Sequence, residues 1–424
     1  MSRRFFVAQM AIAVAAWFDP HAGGCAEEAL PQAAYIWQRA WTEPLRAALA
    51  EHATNFSTLV VLNAEVAWRQ QRPEVVRVAL DWPALRACGR PVGLALRIGS
   101  FSGPFAADDA RTAWLGDLAA GLLAGARAGS VPVAELQLDF DCAESKLDGY
   151  RVWVEAIRRR IAPTPLTITA LPAWLKHAAF KPLISASDGF VLQVHSLDKP
   201  QRASAPFALC DPAAARQAVE RAATFGVPFR VALPTYGYTV AFNRDGRFTG
   251  LSAEGPAKDW PEGVQLREVR ADPAAMAALV AAWTAARPPT LRGVIWYRLP
   301  VAGDQLNWRW PTLAAVMAGR TPRHDLRVEA RHPSPGLMEV DLANAGDGDY
   351  AEAVEVAVRW QHAQLVACDG LRGFEPNDTE NGVVKFSRAS CRLGPGERQT
   401  VGWLRLDKEA AVRCELKEHH EPER

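Results

Sequence analysis

Residues 136–144 read LQLDFDCAE, an apolar run that closes on Asp139 and Asp141, spaced i, i+2, with Glu144 three residues further on. Strand side chains alternate between faces, so Asp139 and Asp141 project to one side, and an otherwise apolar strand is a costly place for two charges that serve no purpose. Seven other β-like runs surround this one: 35–41 (YIWQRAW), 59–66 (LVVLNAEV), 92–98 (VGLALRI), 166–171 (LTITAL), 190–195 (FVLQVH), 229–236 (FRVALPTY) and 293–298 (GVIWYR). Between most of them apolar residues recur at three- and four-residue spacing, at 109–127, 147–161, 211–225 and 273–286, which predicts helices. Eight strands alternating with helices predict an α/β fold, a closed parallel (β/α)8 TIM barrel over residues 30–320. The least regular connection is 72–89, which holds two prolines and only a short helix candidate.

Active sites of such barrels collect at the carboxyl ends of the strands. Residues late in each run are therefore expected to share one mouth: Trp37, Gln38 and Arg39; Asn63 and Glu65; Arg97; Asp139 and Asp141; Trp174; Gln193 and His195; Thr235 and Tyr236; Trp296, Tyr297 and Arg298. Indole faces stack on the apolar face of a sugar ring, and carboxylates, arginine and glutamine hydrogen-bond its hydroxyls, so this set suits a polyhydroxylated ligand. Two readings stand for several members. Glu65 either faces Asp141 as an ordinary retaining pair, at roughly 5 Å, or makes an ion pair with Arg39 or Arg97. His195 either donates to a substrate hydroxyl and tunes Asp141, since imidazole titrates near neutrality, or is a satisfied histidine behind the site. Arg97 and Arg298 either hold a carboxylated sugar or neutralise the Asp pair.

The chain has 424 residues, more than one barrel needs, and 48 Lys and Arg against 47 Asp and Glu. With charges interspersed and a net of +1, no electrostatic footprint for nucleic acid is present. Fifteen tryptophans lean toward carbohydrate, although core packing accounts for many of them. Arg3 and Arg4 precede an apolar stretch, 5–18, interrupted only by Gln9 and followed by small residues at 22–26. That pattern is too short to span a bilayer and fits a secretory signal over 1–26, with Cys25 as a candidate lipid anchor and a periplasmic or extracellular destination. Export places the other cysteines in an oxidising compartment, where Cys142 and Cys210, both expected at the mouth, are either bonded or two buried thiols. No CxxC pair or His/Cys cluster points to a metal, and nothing points to a cofactor. Past residue 320, short alternating runs separated by Pro- and Gly-rich turns predict a small all-β sandwich over 325–416, and 417–424 reads as a charged tail.

The barrel resembles glycoside hydrolase family 18, the chitinase-like enzymes. LQLDFDCAE is similar to that family's fourth-strand DGxDxDxE, VALPTYGY to its seventh-strand G-x-P-x-Y-G, GVIWYRLP to the region of its eighth-strand tryptophan, and LTITALP suits its fifth. More closely, the run 35–403, including LDFDCAESKLDGYR, LQVHS, ALPTYGY and GWLR, resembles a bacterial family catalogued only as a domain of unknown function. The chitinase resemblance implies substrate-assisted chemistry: the substrate's acetamido oxygen attacks the anomeric carbon, a Glu protonates the leaving oxygen, and an Asp two residues before it orients the acetamide. Asp139 and Asp141 match the family's second and third Asp, whereas Ala143 stands at the acid position and Glu144 is displaced by one residue. The shift turns a strand side chain to the other face unless a bulge re-aims it. The acid is then Glu144, Asp141 itself, or absent. The outcomes are an exported glycosidase acting on a polysaccharide or cell-wall glycan, a non-catalytic glycan-binding barrel, or a surface scaffold. Trp296 and Tyr236, on the clearest matches, are expected to line the sugar site.

Overall fold

The computed structural model describes residues 29–70, 72–140, 142–195, 200–253, 260–377 and 382–419. The signal read at 1–26 with Cys25, the carboxylate Asp141 and residues 420–424 lie outside the described residues.

The barrel half runs β1 (Gln32–Ile36), α1 (Glu43–His52), β2 (Thr58–Arg69), β3 (Arg72–Arg77), α2 (Trp82–Ala87), β4 (Val92–Ile98), α3 (Ala110–Ala128), β5 (Val133–Phe140), α4 (Leu147–Ile161), β6 (Leu166–Ala170), α5 (Phe180–Ser185), β7 (Gly189–Gln193), α6 (Pro212–Ala223), β8 (Phe229–Pro234), β9 (Gly237–Phe242), β10 (Phe248–Ser252), β11 (Gln265–Arg270), α7 (Pro273–Ala285), β12 (Leu291–Tyr297) and α8 (Trp310–Met317). Among the described residues eight of these strands are parallel, in the order β1-β12-β8-β7-β6-β5-β4-β2, and β1 pairs with both β12 and β2, so the sheet closes. The TIM barrel is therefore formed. Four of its helices start at an Asp that caps them: Asp81 accepts from Ala84 N, Asp109 from Arg111 N, Asp211 from Ala213 N and Ala214 N, and Asp272 from Ala274 N and Ala275 N.

Alternation along β5 sorts its side chains. Leu136, Leu138 and Phe140 join the apolar layer between sheet and helices. Glu135, Gln137 and Asp139 take the other face, where Arg230 and Thr167 donate to Glu135 and the Gln137 amide donates to Tyr35 Oη. A glycine on the neighbouring strand leaves room for the Glu135 side chain, since a Cβ on Gly93 would sit 3.0 Å from Glu135 Cγ.

Three local expectations are corrected. The first strand is Gln32–Ile36, so Trp37 lies just past its end. The irregular stretch after β2 is mostly β3, antiparallel to β2, followed by α2. A three-stranded antiparallel sheet, β10-β9-β11, is inserted between β8 and α7, where no strands were expected.

The β domain follows with β13 (Leu326–Ser334), β14 (Leu337–Asn344), β15 (Ala353–Trp360), β16 (Leu365–Gly370), β17 (Glu375–Asn377), β18 (Val383–Arg388), β19 (Arg398–Leu406) and β20 (Val412–His419). They form two four-stranded sheets, β13-β14-β19-β16 and β17-β18-β15-β20, around an apolar cluster separate from that of the barrel. The charged tail begins later than expected: β20 carries Val412, Cys414 and Leu416 against that cluster and pairs with β15 as far as His419. Between the two halves run the ion pairs Arg309–Glu397, Arg320–Asp347 and Glu268–Arg392, and Thr312 Oγ1 donates to Asp347 O. No helix among the described residues is long and apolar enough to cross a membrane.

Candidate functional site

The carboxyl ends of the barrel strands surround two adjoining cavities of about 850 and 290 Å3. Trp37, Arg97, Tyr236, Tyr238 and Tyr297 line both. The smaller adds Tyr35, Asp139, Thr169, Gln193, His195, Ala232 and Leu251, and so draws on seven of the eight strand ends as well as the inserted sheet. The larger adds Gln38, Arg39, Glu65, Arg298, Asp304 and Gln305 among others.

Strand register aligns charges across the mouth: Glu65 on β2 lies beside Arg97 on β4, which lies beside Asp139 on β5. Asp139 is half-buried, and Thr169 Oγ1 donates to its Oδ1 at 2.9 Å. Glu65 accepts from Arg39 Nε at 2.5 Å, and its other oxygen lies 3.9 Å from Arg97. This is the ion-pair reading of Glu65; Asp141, its partner in the other reading, lies outside the described residues. Arg298 pairs with Asp304 at 2.8 Å, both largely buried, and Asp304 also accepts from Val301 N and Asn307 Nδ2 at 3.0 Å each.

Aromatic rings form the walls. Tyr35 and Trp37 meet edge to face at 5.3 Å, as do Tyr236 and Tyr297 at 5.4 Å, and Trp37 and Tyr297 lie tilted at 5.5 Å. Burial raises the Tyr35, Tyr236 and Tyr297 hydroxyls above their ordinary range, with Asp139 adding to the effect at Tyr297, so all three are protonated donors at neutral pH. His195 is buried, its Nδ1 lies 3.1 Å from Tyr236 Oη, and desolvation pushes its imidazole down to about 3. It is a neutral hydrogen-bonding group, and the expectation that it titrates near neutrality is corrected.

The mouth thus gathers Trp37, Glu65, Arg97, Asp139, Gln193, His195, Tyr236, Tyr297 and Arg298 from the expected set. It does not gather several others: Asn63 and Thr235 are buried and line neither cavity, and Trp296, Trp174, Glu144, Cys142 and Cys210 lie elsewhere. Trp296 is fully buried on the opposite face of β12 from Tyr297, with Nε1 donating to Gln32 Oε1 at 2.8 Å. Two consecutive strand residues cannot face the same side, and Ile295 and Tyr297 hold the inner one. Trp174 is buried in the short helix Pro172–Lys176, packed against Tyr150. Glu144 is exposed at the start of the 3-10 turn Glu144–Lys146, where the chain leaves β5 for α4, and it lines neither cavity. Cys142 and Cys210 are both buried, but Cys210 is a free thiol, which burial pushes up to about 12, so the bond between them is not formed.

Tyr35, Thr169, Tyr238, Leu251 and Asp304 were missed. Tyr35 stands two residues before Trp37, and Thr167 and Thr169 mark the polar face of LTITA, so both carried a readable signal. Tyr238 and Leu251 arrive with the inserted sheet, and Asp304 from the loop after β12, where no period marks a face.

Fold and mouth together define a TIM-barrel protein with polar and aromatic cavities at the strand ends. More narrowly, the chain belongs to the family described as Domain of unknown function (DUF3142), which matches residues 88–302, more than half its length. Residues 327–407 match Domain of unknown function (DUF8456). No curated protein matches. Similar solved structures include the spore cortex-lytic enzyme SleL of Bacillus megaterium QM B1551, with 12% identity, coverage of 69% of this chain and 74% of that one, and a TM-score of 0.49. A chitinase from Chromobacterium violaceum ATCC 12472 gives 17% identity, 69% and 99% coverage and a TM-score of 0.49. The xylanase and alpha-amylase inhibitor protein XAIP-II from Scadoxus multiflorus gives 13%, 69% and 98%, and 0.43.

Proposed function

We propose that this chain is an exported protein, periplasmic or extracellular, whose barrel mouth binds a polysaccharide or cell-wall glycan without chitinase-type hydrolysis. The observation that carries the reading is the pair of adjoining cavities, the smaller of which sets aromatic edges and protonated tyrosines around Asp139. Such a lining offers donors, an acceptor and flat apolar contact at once, which is what a sugar ring presents in return. What speaks against hydrolysis is the proton donor. Ala143 occupies the position the chitinase resemblance assigns to the proton donor, and the nearest Glu, Glu144, points to solvent at a helix entry, where an acidic side chain favours the helix dipole. Glu65 is held by Arg39, and Asp141, the remaining carboxylate weighed as an acid, lies outside the described residues.

The test is a combined binding and hydrolysis screen of the exported protein on diverse glycans, with Glu144→Gln and Asp139→Asn alongside. Binding without turnover, weakened by Asp139→Asn and indifferent to Glu144→Gln, is the expected result. Turnover that Glu144→Gln lowers by orders of magnitude would establish a glycosidase instead, because a general acid is needed mainly in the transition state.

A further inference from the structure

We propose that the larger cavity takes the carboxylate of an acidic sugar and that Arg97 is the residue that binds it, with a neutral sugar ring beside it in the smaller cavity. The inference rests on the glycan-binding reading and adds the class of glycan.

Three arginines, Arg39, Arg97 and Arg298, line the larger cavity against two carboxylates, Glu65 and Asp304. Both carboxylates have close partners already. Asp304 receives Arg298 at 2.8 Å, Val301 N at 3.0 Å and Asn307 Nδ2 at 3.0 Å, so both its oxygens are engaged. Glu65 Oε2 receives Arg39 Nε at 2.5 Å. Arg97 approaches Glu65 Oε1 only to 3.9 Å, beyond hydrogen-bond reach, so among the described residues it has a favourable charge neighbour but no bond that uses its donors. Its side chain is 45% exposed and lies on the wall that the two cavities share. A guanidinium there is permanently charged, and its planar fork matches a carboxylate in two parallel hydrogen bonds.

Arg97 lines both cavities, but they differ in what stands beside it: the smaller holds Asp139, a like charge for an incoming carboxylate, whereas in the larger the two carboxylates, Glu65 and Asp304, already have Arg39 and Arg298 as partners. The site is thereby matched to a glycan in which an acidic residue neighbours a neutral one, and mismatched to a run of acidic residues.

Three probes separate these possibilities by calorimetry at low salt: a hyaluronan tetrasaccharide (alternating acidic and neutral), chitotetraose (neutral) and tetragalacturonate (all acidic). The alternating probe should bind at least about tenfold tighter than either of the others, as one charge-assisted bidentate contact allows. Arg97→Gln should abolish its advantage over chitotetraose, Arg97→Lys should keep part of it, and added salt should narrow it. Chitotetraose binding as tightly as the alternating probe, or an advantage that survives Arg97→Gln, would overturn the proposal and leave the glycan reading intact. Equal binding of tetragalacturonate would overturn the placement of a neutral ring beside Asp139. Failure of all three probes to bind would overturn the glycan reading and this proposal with it.

Discussion

Burial at the end of β7 holds the His195 imidazole at about 3, well below the 6.5 of an unperturbed histidine, and this single residue gives the protein an acid sensitivity. Between those two values the unfolded chain takes up a proton that the native imidazole refuses. Native stability therefore falls as pH drops from about 6.5 toward 3, by at most about 1.4 kcal/mol per pH unit from this group, and rises again on return to neutrality. His195→Gln should flatten that part of the curve when urea midpoints are measured from pH 7 to pH 4, whatever it does to stability at pH 7. An unchanged slope would assign the acid sensitivity to other groups. For the same reason glycan affinity should show no inflection from His195 between pH 5 and 8, because the ring stays neutral throughout.

Barrel closure depends on one close approach between elements. Val294 N, at the start of the β12–β1 pairing, donates to Pro31 O at 2.9 Å, and the residue before it, Gly293, has φ +155° with its missing Cβ pointing 2.3 Å from that same carbonyl oxygen. An alanine there meets backbone, which cannot move aside as a flexible side chain does. Gly293→Ala should cost about 2 kcal/mol or more. Gly226, at φ +74° with no heavy atom within 4 Å of a built Cβ, isolates the backbone component, so Gly226→Ala should cost only about 1 kcal/mol. Denaturant midpoints of the two variants check the order. Equal losses would show that β12 shifts to admit the methyl group and that closure is less tightly set than the distances imply.

At the scale of the molecule, barrel and β domain keep separate apolar cores, and most of the side-chain ion pairs between them are well exposed. Exposed pairs contribute about 0–1 kcal/mol each, so the barrel should not depend on the sheets behind it. A chain ending at Arg320 is expected to melt in one cooperative transition and to keep the glycan affinity of the whole protein. Aggregation, or loss of a sharp transition, would place part of the barrel's core in the β domain and move the boundary expected between residues 320 and 325. Retained folding with altered affinity would point instead to Arg392, whose contact with Glu268 reaches β11 of the sheet that carries Tyr238 over the mouth.

Local pattern was enough for the architecture. The two-residue period of LQLDF put Asp139 on the inner face, the helical periods of 147–161 and 273–286 placed α4 and α7 to within a residue, and Asp109, Asp211 and Asp272 marked where helices start. These are properties of neighbours along the chain, so a linear text contains them. The same period, applied strictly, would also have separated Trp296 from Tyr297. What only the tertiary structure decided was set by residues far apart in sequence: Arg39 reaching Glu65, Asp304 taking Arg298, desolvation from all sides keeping His195 neutral, and the turn out of β5 that sends Glu144 to solvent. Burial and charge at the mouth are sums over seven strand ends and an inserted sheet, and no stretch of the chain carries that sum by itself.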